Sequence, residues 1–66
     1  MDNHELPKAL YSIKEAMTTL SMSRTVLYEQ IRSGRLRSVK EGRSRRIPRS
    51  AIADYVDLLE RESRAA

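Results

Sequence analysis

Apolar positions along the chain fall into three groups at helical spacing, with two short, mostly polar runs between the second and the third. The first group, Ile13, Ala16, Met17 and Leu20, repeats at three and four residues, as one buried face of a helix requires. Ser12-Ile13-Lys14-Glu15 just before it is a capping box. The Ser12 hydroxyl can accept from the amide three residues on, and the Glu15 carboxylate can reach back to the Ser12 amide. The spacing therefore predicts a helix of about two turns that stops near Leu20-Ser21. Ser21-Met22-Ser23 follows as a tight link with Met22 turned inward. Ser23 is an N-cap for a second helix over Arg24 to Ser33, with Leu27 and Ile31 four apart and Val26 beside them. Gly34 stands just beyond its last turn, where a left-handed residue is most easily placed.

The pattern then changes. Leu36 to Lys40 and Arg43 to Ile47 are short runs joined at Glu41-Gly42, which predicts an antiparallel hairpin with Leu36 and Val39 as apolar anchors. Pro48 ends its second strand, because it has no amide for the ladder. From about Arg49 or Ser50 to Arg61 the helical period returns. Ile52, Tyr55, Val56 and Leu59 form one stripe, and Asp54, Asp57, Glu60 and Glu62 form an acidic outer face. Residues 1–9 lack a period and contain Pro7, so they read as a flexible N-terminal arm. Order begins near Leu10-Tyr11, as a short strand. The predicted organisation is arm 1–9, domain 10–61 and frayed tail 62–66. The fold class is mainly α with a small β-hairpin: two helices of helix-turn-helix type, a basic wing and a C-terminal amphipathic helix.

Charge sharpens this picture. The 66 residues carry a net +4, but Arg32 to Arg49 holds eight basic residues against one acid, Glu41. That segment is +7 and the remainder is −3. Seven of the eight are arginine, whose planar fork suits phosphates and base edges. Charge so concentrated calls for a polyanionic partner, and double-stranded DNA fits it best. In a helix-turn-helix unit the second helix enters the major groove with its N-terminal residues on base edges. Ser23, Arg24 and Thr25 occupy that end, with Tyr28 one turn along and Arg32 beyond. A basic hairpin following such a helix is a wing. Its candidate contacts are Lys40, Gly42, Arg43, Arg45 and Arg46, and a narrow minor groove attracts such inserted arginines. A solvated basic face and a purely structural αα-hairpin are the bland alternatives. The acids on both flanking helices argue against the first.

Other features narrow the function classes. A chain this short buries only about 60% of its unfolded surface, leaving no room for a catalytic cleft and a rigid scaffold to hold it. It has no cysteine, so neither disulfides nor thiolate metal sites support it, and its single histidine, His4, cannot form a metal cluster. Serine, tyrosine and arginine serve some recombinases catalytically. Here no general base, metal cluster or Gly-rich phosphate loop accompanies them, so no enzyme, cofactor or metal is expected. Tyr11 and Tyr55 read as core-edge residues. No apolar run approaches the roughly 18 residues that span a bilayer, and the N-terminus is unlike a signal peptide, so a soluble cytoplasmic protein is expected.

From Tyr11 to Leu59 the chain resembles the excisionase-type, MerR-like winged helix-turn-helix proteins. The marks are Ser12-Ile13-Lys14-Glu15-Ala16, Met22-Ser23-Arg24, then Leu27-Tyr28 with Ile31-Arg32, Gly34 and Leu36. Val39 through Gly42 to Arg46-Ile47 and Ser50-Ala51-Ile52 complete them. The resemblance is strongest to the small excisionases, or recombination directionality factors, of actinobacterial phages and integrative elements. It implies a non-catalytic protein in a bacterial host cell that binds adjacent sites at a phage attachment region, contacts neighbouring copies head to tail and bends the DNA. Integrase would be its partner in prophage excision. Carried over by position, Arg24, Thr25 and Tyr28 would contact the major groove or phosphates, and Arg43, Arg45 and Arg46 would be wing contacts. Where the family often has Thr or Ser, this chain has Val26. Two alternatives stay open: a small transcription regulator of the same fold, and an adaptor whose Arg-rich hairpin docks an acidic protein.

Overall fold

A computed structural model describes residues 7–65 of the chain. Most of the predicted arm, with His4, lies outside the described residues. In order, the elements are β1 (Leu10–Ser12), α1 (Ile13–Leu20), α2 (Arg24–Arg32), β2 (Val39–Glu41), β3 (Ser44–Pro48) and α3 (Arg49–Ala65).

Local signals account for most element ends. At α1 both halves of the capping box form: the Glu15 amide donates to Ser12 Oγ at 3.1 Å, and the Ser12 amide donates to Glu15 Oε1 at 2.9 Å. The far end closes with Ser21 in the left-handed region at φ 55°. The Met22 amide there reaches the Met17 carbonyl at 2.9 Å. At α2 the Val26 amide donates to Ser23 Oγ at 3.2 Å. Its C-terminus is a Schellman closure on Gly34 (φ 85°), with Gly34 N–H donating to Ile31 O at 3.1 Å and Arg35 N–H to Gln30 O at 3.0 Å.

The hairpin forms as predicted, with a shifted tip. Glu41 pairs with Ser44, so Glu41 belongs to β2 and the turn is Gly42-Arg43. Gly42 has φ 61° and Arg43 does not share the positive sign, the pattern of a type II′ turn. The sheet holds one strand more than the hairpin. Its order is β1-β3-β2, antiparallel throughout, with Tyr11 opposite Ile47 and Ser12 opposite Arg46. The short strand expected at Leu10-Tyr11 thus brackets the wing's second strand, which becomes the central one. β3 ends at Pro48 and α3 starts at once.

Tyr11, Ala16, Leu27, Leu36, Ile47, Ala51, Ile52 and Tyr55 make the core, with Ile13, Met17, Leu20, Met22 and Ile31 packed against it. Tyr11 and Tyr55 lie deeper than the core edge. Three apolar anchors predicted from periodicity are instead exposed. Val39 lies on β2, an edge strand whose residues are all exposed. Val56 and Leu59 lie on α3 at 40% and 38% exposure. At 17 residues α3 is about twice the length of the 8-residue α1, so its stripe outruns the surface that could cover it. The helix also continues to Ala65, past the fraying predicted from Glu62. Glu62 is tied down by Arg35, whose Nη1 and Nη2 donate to its two oxygens at 2.7 and 2.8 Å. No helix among the described residues is long and apolar enough to cross a membrane.

Two of these contacts make stability depend on pH at the acid end. Glu15 lies below its ordinary value of 4.5, first because its carboxylate accepts from the Ser12 amide and then because of Lys8, whose Nζ is 3.2 Å away. Glu62 is lowered chiefly by the Arg35 hydrogen bonds. Both pKa values are depressed by folding, so the stabilisation they give is complete above about pH 4.5 and is lost as pH falls through the lowered values. Thermal melts followed by circular dichroism should therefore show a falling midpoint below pH 4.5, and Glu62→Gln should flatten part of that fall.

Candidate nucleic-acid interface

The site is assembled by two faces that converge. On α2, Arg24, Thr25 and Arg32 are exposed and Tyr28 is half-buried. Its first turn contains no acid, so the positive end of the helix dipole is uncompensated there. The Ser23 oxygen is occupied by its capping bond, which leaves the hydroxyl proton to donate outward.

The wing approaches this face through Arg45. Tyr28, Ile31 and Arg32 of α2 line a shallow groove together with Arg45 of β3. Arg45 Nη1 donates to Ser38 Oγ at 2.7 Å, which steadies the guanidinium beside the groove. Lys40 stands directly opposite Arg45 across the β2–β3 ladder. Like charges in that position destabilise a hairpin unless an anion screens them. Arg43 is at the tip beside Gly42. Among the described residues Arg24, Arg32, Lys40, Arg43 and Arg45 make no ion pair, so their charge is available to a ligand.

Not all of the +7 segment is available in this way. Arg35 is held by Glu62 and its Nε donates to Gln30 Oε1 at 2.9 Å. Arg37 Nη2 lies 2.7 Å from Asp54 Oδ2. Both arginines lash the segment after α2 to α3. Arg46 is partly compensated, with Nε 3.6 Å from Glu41 Oε1. The acidic face of α3 is correspondingly reduced: Asp54 and Glu62 answer Arg37 and Arg35, and Asp57 pairs with Arg61 at 3.3 Å. These exposed pairs contribute little to stability singly. They do, however, neutralise much of the acidic outer face that the sequence predicted for α3. Gln30 was not anticipated in the sequence. It accepts from both Arg35 Nε and the Tyr55 hydroxyl, joining α2 to α3, and its partners, five and 25 residues away, leave no local signal for this. Among the described residues no group of His, Cys, Asp and Glu could hold a metal ion.

A family model described as "Helix-turn-helix domain" matches residues 10–57, from β1 into α3. Over 47 residues the chain is 36% identical to "Excisionase" of Streptomyces ambofaciens, covering 71% of this chain and 76% of that protein. The chain belongs to the excisionase-type helix-turn-helix family. It is also 42% identical over 59 residues to "Probable excisionase" of Saccharopolyspora erythraea, which covers 89% of this chain and 60% of the relative. The chain thus spans about three fifths of that protein's length. No solved structure matches it. Family membership makes this a DNA-binding module and not an enzyme, and it agrees with the placement of α2 and the wing side by side.

Proposed function

We propose that the protein acts as an excisionase: it binds adjacent sites at attachment-site DNA, bends the duplex and assists integrase in excision. α2 enters a major groove and the wing the neighbouring minor groove. The observation that carries this reading is the set of unpaired cations shared by α2 and the wing, with Lys40 and Arg45 held face to face. A cross-strand pair of like charges is a cost to the free protein that phosphates would relieve. Copies on neighbouring sites add the affinity that one short module lacks.

The test is in vitro excision with the cognate integrase, with and without this protein, beside footprinting of the attachment DNA. Stimulated excision with no strand cleavage by the protein alone is expected. Site-specific binding with no stimulation would overturn the accessory role in favour of a transcription regulator.

The two faces should also separate by mutation. Arg24→Ala should cost about 1–3 kcal/mol on cognate sites and relax sequence preference, whereas Arg45→Ala should weaken cognate and random DNA alike. Equal loss on both DNAs for Arg24→Ala would remove α2 from base reading.

A further inference from the structure

We infer that Glu29 selects a cytosine in the major groove, as the one acidic base-reading group of α2. The inference rests on the DNA-binding reading above. Thr25, Glu29 and Arg32 lie at i, i+4 and i+7, which places them on one stripe of the helix. Leu27, fully buried, marks the opposite face. The stripe has a different neighbour on each flank. On one side Gln30 faces α3 through Arg35 and Tyr55, and on the other Tyr28 and Ile31 face Arg45 across the groove. The stripe between them is exposed and adjoins the groove that Tyr28 and Arg45 line, and Glu29 is at its centre.

A carboxylate at that place needs a donor. Glu29 is exposed and its side chain makes no ion pair or hydrogen bond among the described residues, although Arg32 is three residues away on the same stripe. It lies outside the first turn, so capping does not explain it either. Arg32 on the same stripe shares the groove with Arg45, a surface suited to phosphates, which a carboxylate repels. Its contribution there is to exclude and to choose. In the major groove guanine and thymine offer acceptors, which repel a carboxylate. Adenine offers an amino group beside the N7 acceptor. Cytosine offers its N4 amino group with no acceptor of its own. Cytosine is therefore the base that Glu29 accepts from with least repulsion. Glu29 lies about 6 Å along the axis from Thr25, roughly two base-pair steps further into the site.

The test is selection from a randomised duplex pool with the wild-type protein, Glu29→Gln and Glu29→Ala, followed by binding curves on the enriched duplex and its single-base variants. Wild type should enrich a motif with one position at which cytosine is preferred about tenfold or more over the other bases. Glu29→Gln should move that one position to adenine, whose N6 and N7 a carboxamide reads together. Glu29→Ala should make it degenerate and should bind random duplex more tightly by a few fold. Melting midpoints should stay close to wild type for both variants, since the side chain is exposed and makes no hydrogen bond or ion pair among the described residues. Identical enriched motifs for all three proteins, with only a uniform rise in affinity, would overturn the role of Glu29 and leave DNA binding standing. A wild-type protein that enriches nothing and shows no salt-sensitive binding would overturn the DNA reading, and this inference with it.

Discussion

Leu27→Ala should abolish the cooperative fold at 37 °C. Leu27 is fully buried and sits at the middle of α2, inside the cluster formed by all three helices and the sheet. Removing a buried leucine side chain costs about 2–5 kcal/mol, through lost transfer energy and the cavity left behind. A single core in a chain this short rarely supplies more than about 3–5 kcal/mol. The variant's cost thus matches the whole of the stability available. Circular dichroism should show no cooperative melting transition at 37 °C and above, and DNA binding should vanish with it. A melting midpoint within a few degrees of wild type would mean that α2 is not held by this core.

Salt should affect binding nearly as severely. Arg24, Arg32, Lys40, Arg43 and Arg45 are unpaired among the described residues, and Arg46 is only partly compensated. With roughly four to six phosphate contacts, log K should fall against log salt with a slope of about −4 to −5. A fourfold rise in salt then weakens binding by roughly 250- to 1,000-fold. Arg35→Ala and Arg37→Ala should leave the slope unchanged, because those arginines are bound to α3 and not to the ligand. A shallower slope for either variant would mean that its ion pair opens on DNA. A flat response in wild type would instead favour an acidic protein partner.

The contrast between these arginines shows where sequence reasoning ran out. The caps at Ser12 and Ser23, the Gly34 closure and the Gly42 turn are local: each needs partners only a few residues away, so residue type and spacing suffice. Arg35 and Arg37 meet partners 27 and 17 residues on. A run of arginines has one sign whether its members face phosphate or a carboxylate of the same chain, and only the fold separates the two. β1 was legible as a strand but not as a neighbour of β3, since three residues carry no register of their own. Val56 and Leu59 continue the stripe of α3 faithfully, yet periodicity cannot say how far the opposing helix extends. The candidate site was readable for the same reason as the caps, because Ser23 to Arg32 and Lys40 to Arg46 are each contiguous. Their meeting through Tyr28, Arg32 and Arg45 was not.

Ser12 is at once the last residue of β1, opposite Arg46, and the N-cap of α1. No linker separates the base of the wing from the helical pair that carries α2. The two projections therefore behave as the fixed jaws of a caliper. A caliper on DNA cannot adapt to the width it finds. In the proposed complex the duplex would supply the adjustment, at an energy that depends on the stiffness of base steps the protein never touches.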